Sequence, residues 1–182
     1  GFARGAVLSL KGPRLPIQPN DPMHTYTADS HWRRGDQPFT DARYTRRHRW
    51  GFDGGLSVPA SASPQVVPEP LSDAACVDPE EAFVAALRSC HLLWFLHPAA
   101  DRNYVVHCYD DAPVGTMDPA DEPIWMKQVT LRPRVAFAGD APEAATLRQL
   151  HETAHARCFL ANSVRTTITV QPRLPSPTGE TG

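Results

Sequence analysis

Asp78-Pro79-Glu80-Glu81-Ala82-Phe83-Val84-Ala85-Ala86-Leu87-Arg88-Ser89-Cys90-His91, continued by Leu92-Leu93-Trp94-Phe95-Leu96-His97 up to Pro98, is the stretch from which the fold can be read. Asp78 is a good N-cap, Pro79 suits the first helical position, and Glu80 and Glu81 face the positive end of the helix dipole. A helix is predicted from there to about His97, with Pro98 stopping it. Phe83, Ala86, Leu87, Leu93, Trp94 and Leu96 wrap most of its circumference. A helix greasy on nearly all sides belongs in the centre of a core, which places Cys90 in a buried helix.

Outward from this helix the pattern changes. Upstream, His24 to Trp32, Thr40 to Phe52 and Leu56 to Ala60 are short and rich in Thr, Tyr, Arg and aromatic residues, as suits strands with one wet face. Gly35-Asp36 and Asp53-Gly54-Gly55 supply turns. Ser61 to Asp73 is a Ser/Pro loop in which Pro64, Pro68 and Pro70 exclude a helix. Downstream, Tyr104 to Tyr109 and Trp125 to Phe137 read as two strands separated by an acidic Gly/Pro turn. A second helix of roughly four turns opens at Asp140 and Pro142 and ends near Cys158. In it Leu147, Leu150, Ala154 and Cys158 fall on one apolar stripe. Val164 to Val170 is the last strand. The expected class is α+β: one domain over residues 23–171, a flexible leader over 1–22 and a loose Pro-rich tail over 172–182.

With 182 residues the chain can bury one sizeable core. Its 18 Lys+Arg against 20 Asp+Glu leave a net charge of −2, which offers no field to a phosphate backbone, so nucleic acid is not expected as a partner. The most hydrophobic segment, Phe83 to Leu96, is interrupted by Arg88, Ser89 and His91, so no membrane span is expected. Cys76, Cys90, Cys108 and Cys158 have irregular spacing and follow no secretion signal. A reducing cytoplasm fits them better than a disulfide framework does.

One helical cysteine alone is most often a small core hydrophobe. Two of them, each on a helix, together with Arg43, Arg46 and Arg47 on an early strand, point further. Peroxide reduction needs a thiolate to attack the O–O bond, a cation to hold that thiolate ionised, and a second thiol to condense with the sulfenic acid. A rival is His151-Glu152-Thr153-Ala154-His155, which fits the H-E-x-x-H of zinc hydrolases. The extended form of that motif asks for Gly at 158 and His at 161, where this chain has Cys158 and Ala161. Three ligands in one stripe, with Cys158 as the third, make poor tetrahedral geometry. The expectation is therefore two partly exposed histidines and no metal or cofactor. A third alternative is a non-catalytic dimer holding a small apolar ligand among Trp94, Phe95, Trp125 and Phe137. Cys76 and Cys108 are given no role.

Three segments in order resemble the OsmC/Ohr family. Asp78 to His91 is similar to its "N-P-E-x-L-hydrophobic-x-A-A-x-x-x-C" helix. Ala154-His155-Ala156-Arg157-Cys158-Phe159-Leu160-Ala161-Asn162-Ser163 resembles the second cysteine segment of the OsmC-like branch, and Tyr44-Thr45-Arg46-Arg47-His48 resembles its "Y-x-R-x-H". The resemblance implies antiparallel sheets wrapped around a long central helix in an intertwined homodimer of bacterial, cytoplasmic type. It implies a peroxidase that reduces organic hydroperoxides, and hydrogen peroxide less well, and is recycled by an external dithiol. Carried over by position, Cys90 is the peroxidatic cysteine, Cys158 the resolving one and Glu80 the helix-start glutamate. Arg46 is the activating arginine, with Arg34, Arg43 and Arg47 as neighbours that could replace it. His91 and Phe159 depart from the family pattern at the positions after each cysteine. Glu80 and Cys90 are ten positions apart, about 15 Å along a helix, so they cannot meet within it. An active site shared between two chains follows as an expectation.

Overall fold

A computed structural model describes residues 21–173. The expected leader falls outside them except for Asp21 and Pro22, as does the expected tail beyond Arg173. In chain order the elements are β1 (Ala28–His31), β2 (His48–Phe52), β3 (Ser57–Ala60), α1 (Pro79–Asp101), β4 (Val106–Asp110), β5 (Val114–Met117), β6 (Met126–Leu131), β7 (Arg134–Phe137), α2 (Ala144–Arg157), a 3-10 turn (Ala161–Ser163) and β8 (Thr167–Val170). The class is α+β, as expected.

The helix start is built as its sequence demands. The Asp78 carboxylate accepts from the Glu81 N–H at 2.7 Å, and the Glu81 carboxylate accepts from the Asp78 N–H at 2.9 Å, a reciprocal capping box with Pro79 just inside. The expected stop at Pro98 does not occur: α1 runs on to Asp101. Proline removes one N–H and crowds the carbonyl four residues back, but this close to the helix end only a single turn follows it. Pro98 and Ala99 are buried, and that packing holds the last turn.

The strands form three small sheets, β1-β2-β3, β4-β7 and β5-β6-β8, and α1 packs against strands of the last two. All pairs are antiparallel except β6 with β8, which run parallel with Gln128 opposite Thr167 and Leu131 opposite Val170. That exception positions the site. A parallel pair needs a long crossover, and here the crossover contains β7 and α2, which it lays across α1. The single strand expected from Trp125 to Phe137 is two, β6 and β7, which belong to different sheets, and the acidic turn before it contains β5. The break falls at Arg132-Pro133, where proline cannot donate to a ladder.

Two apolar clusters flank α1. Trp94, Phe95 and Ala99 join Val135, Leu147, Leu150, Ala154 and Cys158, while Leu87 joins Val129 and Leu131. The predicted stripe of α2 is thus entirely in one core. Gly115 on β5 lets that strand approach α1 closely, since a Cβ there would lie 2.7 Å from both Val84 Cγ2 and Met126 Sδ. A third side of α1 is uncovered: Leu93 is 64% and Leu96 38% exposed, so the helix is less enclosed than its composition implied and Cys90 is half-buried.

Candidate active site

Cys90 sits midway along α1, and Cys158 is the residue that ends α2. The backbone N–H of Cys158 reaches back to the His155 carbonyl at 3.2 Å, and its Sγ accepts from the Ala161 N–H at 3.4 Å. The two sulfurs meet across the helix seam, with the Cys158 thiol donating to Cys90 Sγ at 2.7 Å. Both thiols are free. A disulfide is about 2.0 Å long, so closing the bond takes less than 1 Å of further approach. Burial, followed by the hydrogen bond to Cys90, pushes the Cys158 thiol up to about 11. Its position at the negative end of a helix dipole acts in the same direction. Cys158 is thereby held protonated, as the donor to the more accessible Cys90 sulfur. Trp94 packs in the same cluster and meets Phe159 edge-on at 5.2 Å, which leaves Phe159 54% exposed beside the pair.

The other two carried-over residues lie elsewhere. Glu80 is in the first turn of the unbroken helix, lining a cavity of about 380 Å³ with Phe83, Trp125 and Arg165. Arg46 lies in the loop before β2, its guanidinium 4.1 Å above the Tyr44 ring and donating to the carbonyl oxygens of Ala42 at 2.7 Å and Tyr44 at 2.5 Å. It borders a cavity of about 440 Å³ that also includes Trp32, Phe39, His48 and Pro79. Glu80 and Arg46 therefore both flank the start of α1, and neither is brought to Cys90 of its own chain. Two of the three competing arginines are engaged: Arg47 pairs with Asp73, and Arg34 donates to the Gln37 carbonyl.

The H-E-x-x-H residues overturn one expectation. His151 is 2% exposed, not partly exposed, and its Nδ1 lies 3.1 Å from Nε2 of the equally buried His91, with the rings nearly parallel. Burial pushes His91 down to about 4, with His155 adding to the effect, and burial with the nearby His91 pushes His151 down to about 3. Cys158, the suggested third zinc ligand, is turned toward Cys90 instead. Among the described residues no three His, Cys, Asp or Glu side chains converge to hold a metal ion. The pairing of His91 with His151 was invisible in a sequence that separates them by sixty positions. The available signal was that His91 sits one residue from Cys90 and His151 one residue from Leu150, both on faces that point into the seam. The four aromatic residues suggested as a ligand pocket do not share one: Trp94, Phe95 and Phe137 belong to the cysteine-side core, whereas Trp125 stacks under Arg165 at 4.3 Å.

Residues 72–173, more than half of the chain, match the family model described as OsmC-like protein. The chain belongs to the OsmC-like family. Of solved structures, an OsmC-like protein of unknown function from Vibrio cholerae is 47% identical, over 83% of this chain and 100% of that one, with a TM-score of 0.80. The fold is shared at greater distance by the organic hydroperoxide resistance protein OsmC from Legionella pneumophila, at 16% identity, 84% and 97% coverage and a TM-score of 0.61. OhrB, the organic hydroperoxide resistance protein of Bacillus subtilis, matches at 17% identity, 82% and 98% coverage and a TM-score of 0.57. No curated protein matches significantly. No helix of this OsmC-like chain, among the described residues, is long and apolar enough to cross a membrane.

Proposed function

We propose that the protein is a thiol-dependent peroxidase that reduces organic hydroperoxides, and hydrogen peroxide less well, in the cytoplasm. The observation that carries this reading is the sulfur-to-sulfur contact of Cys158 with Cys90 at 2.7 Å. In the first step the Cys90 thiolate attacks one peroxide oxygen: an S–O bond forms, the O–O bond breaks, and the departing alkoxide takes a proton to leave as the alcohol. Cys90 is then a sulfenic acid. In the second step Cys158 attacks that sulfur, the S–S bond forms, and hydroxide leaves with the Cys158 proton as water. An external dithiol restores both thiols by exchange and is itself oxidised to a disulfide.

Cys90 is assigned the attack because its sulfur is the more accessible, whereas Cys158 is buried and its thiol is pushed up to about 11. Arg46 supplies the cation and Glu80 orients it, in this reading, at Cys90 of the partner subunit. Support comes from their position: Glu80 lies in the first turn of α1, about 15 Å along the helix from Cys90 of the same chain, and Arg46 borders a cavity that also includes Pro79 at the start of α1. The uncovered apolar side of α1, with Leu93 and Leu96, favours an intertwined homodimer in which a second chain supplies the missing wall.

Consumption of cumene hydroperoxide with a dithiol reductant, under metal chelation, tests the chemistry. Wild type turns over and Cys90→Ser does not; before the reductant is added, peroxide leaves Cys158→Ser as a trappable Cys90 sulfenic acid. A wild type that consumes no peroxide overturns the reading and leaves a ligand-binding dimer. Sharing of the site is tested by co-refolding Glu80→Gln with Cys90→Ser chains. Activity recovered by the mixture supports a site built from two chains, and a mixture as inactive as its parents counts against it.

A further inference from the structure

The thiol chemistry leaves the His151-Glu152-Thr153-Ala154-His155 stretch unused, and the stretch borders a cavity of its own. It measures about 230 Å³ and lies between α2 and the end of β8, lined by Arg148, His151, Glu152, His155, Val170 and Pro172. His151 is 98% withdrawn from solvent, with its Nδ1 committed to His91. Its Nε2 is buried without a hydrogen-bond partner, as is Nδ1 of His155. Buried nitrogens left unpaired cost stability unless something fills the space beside them. The volume is several times the ~30 Å³ share of one water molecule.

The polar atoms determine what fits. A neutral imidazole carries one N–H and one lone pair. When Nε2 of His91 donates to Nδ1 of His151, the His151 proton resides on its Nε2, on the side of the ring turned away from His91. Arg148 adds a guanidinium, which has donors and no acceptor. A metal ion is disfavoured by that cation and by the want of three converging ligands among the described residues. Glu152 is exposed and free to turn to solvent, whereas the buried His151 is not. Val170 and Pro172 make an apolar wall opposite. We infer that this cavity binds a small monocarboxylate, whose oxygens accept from Arg148 and His151 Nε2 while its alkyl end rests on Val170 and Pro172. The site is separate from the Cys90–Cys158 pair and does not depend on the peroxidase reading.

The test is a titration of the full chain, ¹⁵N-labelled at histidine, with acetate, propionate and butyrate at constant ionic strength near neutral pH, following the imidazole nitrogens by NMR. The expected result is a saturable shift of the His151 nitrogens, with affinity rising along the series as more alkyl surface is covered. Arg148→Gln, on an exposed side chain, should weaken binding roughly tenfold or more with the histidine spectrum otherwise retained. Four outcomes overturn the inference: the same shift with chloride, inorganic phosphate binding at least as well as butyrate, Zn²⁺ perturbing both histidines where carboxylates do not, or unchanged affinity in Arg148→Gln.

Discussion

The four cysteines form two contrasting neighbourhoods. Cys76 and Cys108 each point at a carboxylate, Asp73 at 3.4 Å and Asp110 at 3.3 Å, whereas Cys90 and Cys158 point at one another. A carboxylate beside a thiol favours the proton staying on sulfur. Cys108, exposed, is raised chiefly by its hydrogen bond to Asp110, and Cys76 chiefly by burial with Asp73 adding to it. Accessibility alone therefore does not make a reactive cysteine. In the helix seam the neighbour is a second thiol, which donates a hydrogen bond to the first and can afterwards become its covalent partner.

The contrast can be broken most decisively at Cys90. Cys90→Ser should reduce hydroperoxide turnover to background, while Cys76→Ser and Cys108→Ser retain wild-type rates in the same assay. Loss of turnover in either of the latter two would end the distinction between the neighbourhoods. Next in size, Cys158→Ser treated with peroxide before any reductant is added should hold Cys90 as a sulfenic acid, detected by a dimedone-type probe and mass spectrometry, where wild type gives the Cys90–Cys158 disulfide. A wild type that gives the same sulfenic-acid adduct and no disulfide would show that Cys158 is not the resolving thiol.

A smaller effect sharpens the comparison by way of the seam itself. His91 and His151 cross it beside the cysteines, with pKa values lowered from 6.5 to about 4 and about 3. The unfolded chain thus binds protons that the folded chain refuses. The stability this contributes is fully present above pH 6.5 and is lost as pH falls through the window toward 4. Denaturation in urea should show stability falling by roughly 1 kcal/mol or more per pH unit across that window. Replacing His91 by Asn should flatten the slope, and an unchanged slope would place the acid sensitivity elsewhere. Smallest of all, Asp110→Asn should speed alkylation of Cys108 by roughly two- to threefold at fixed pH, because the carboxylate that favours its protonated form is gone. Timed labelling with mass spectrometry measures this, and no change would mean that the Asp110 contact has no bearing on Cys108.

Much of the local structure was legible because its causes are local. The N-cap at Asp78 with Pro79 behind it needs only adjacent residues, and the stripe Leu147-Leu150-Ala154-Cys158 needs only helical spacing; both are present as read. Errors arose where distant packing overrode a local signal. Pro98 marks a helix end in an isolated sequence, but burial of Pro98 and Ala99 carries α1 to Asp101. Trp125 to Phe137 has the composition of one strand, and the division between β6 and β7 depends on each half finding a different partner, β8 or β4. His151 read as a partly exposed helix histidine because nothing within its own helix announces His91.

The sequence by itself determined the α+β class, both helix registers and the candidate cysteines, since hydrophobic period, capping and family motifs are properties of neighbouring residues. Only the tertiary structure decided that Cys158 meets Cys90, that His151 faces His91, and that Glu80 and Arg46 stand apart from the Cys90 of their own chain. The physical reason is the crossover between the parallel strands β6 and β8. It sets where α2 lies on α1, and that placement is fixed by burial of apolar surface contributed by residues far apart in the chain.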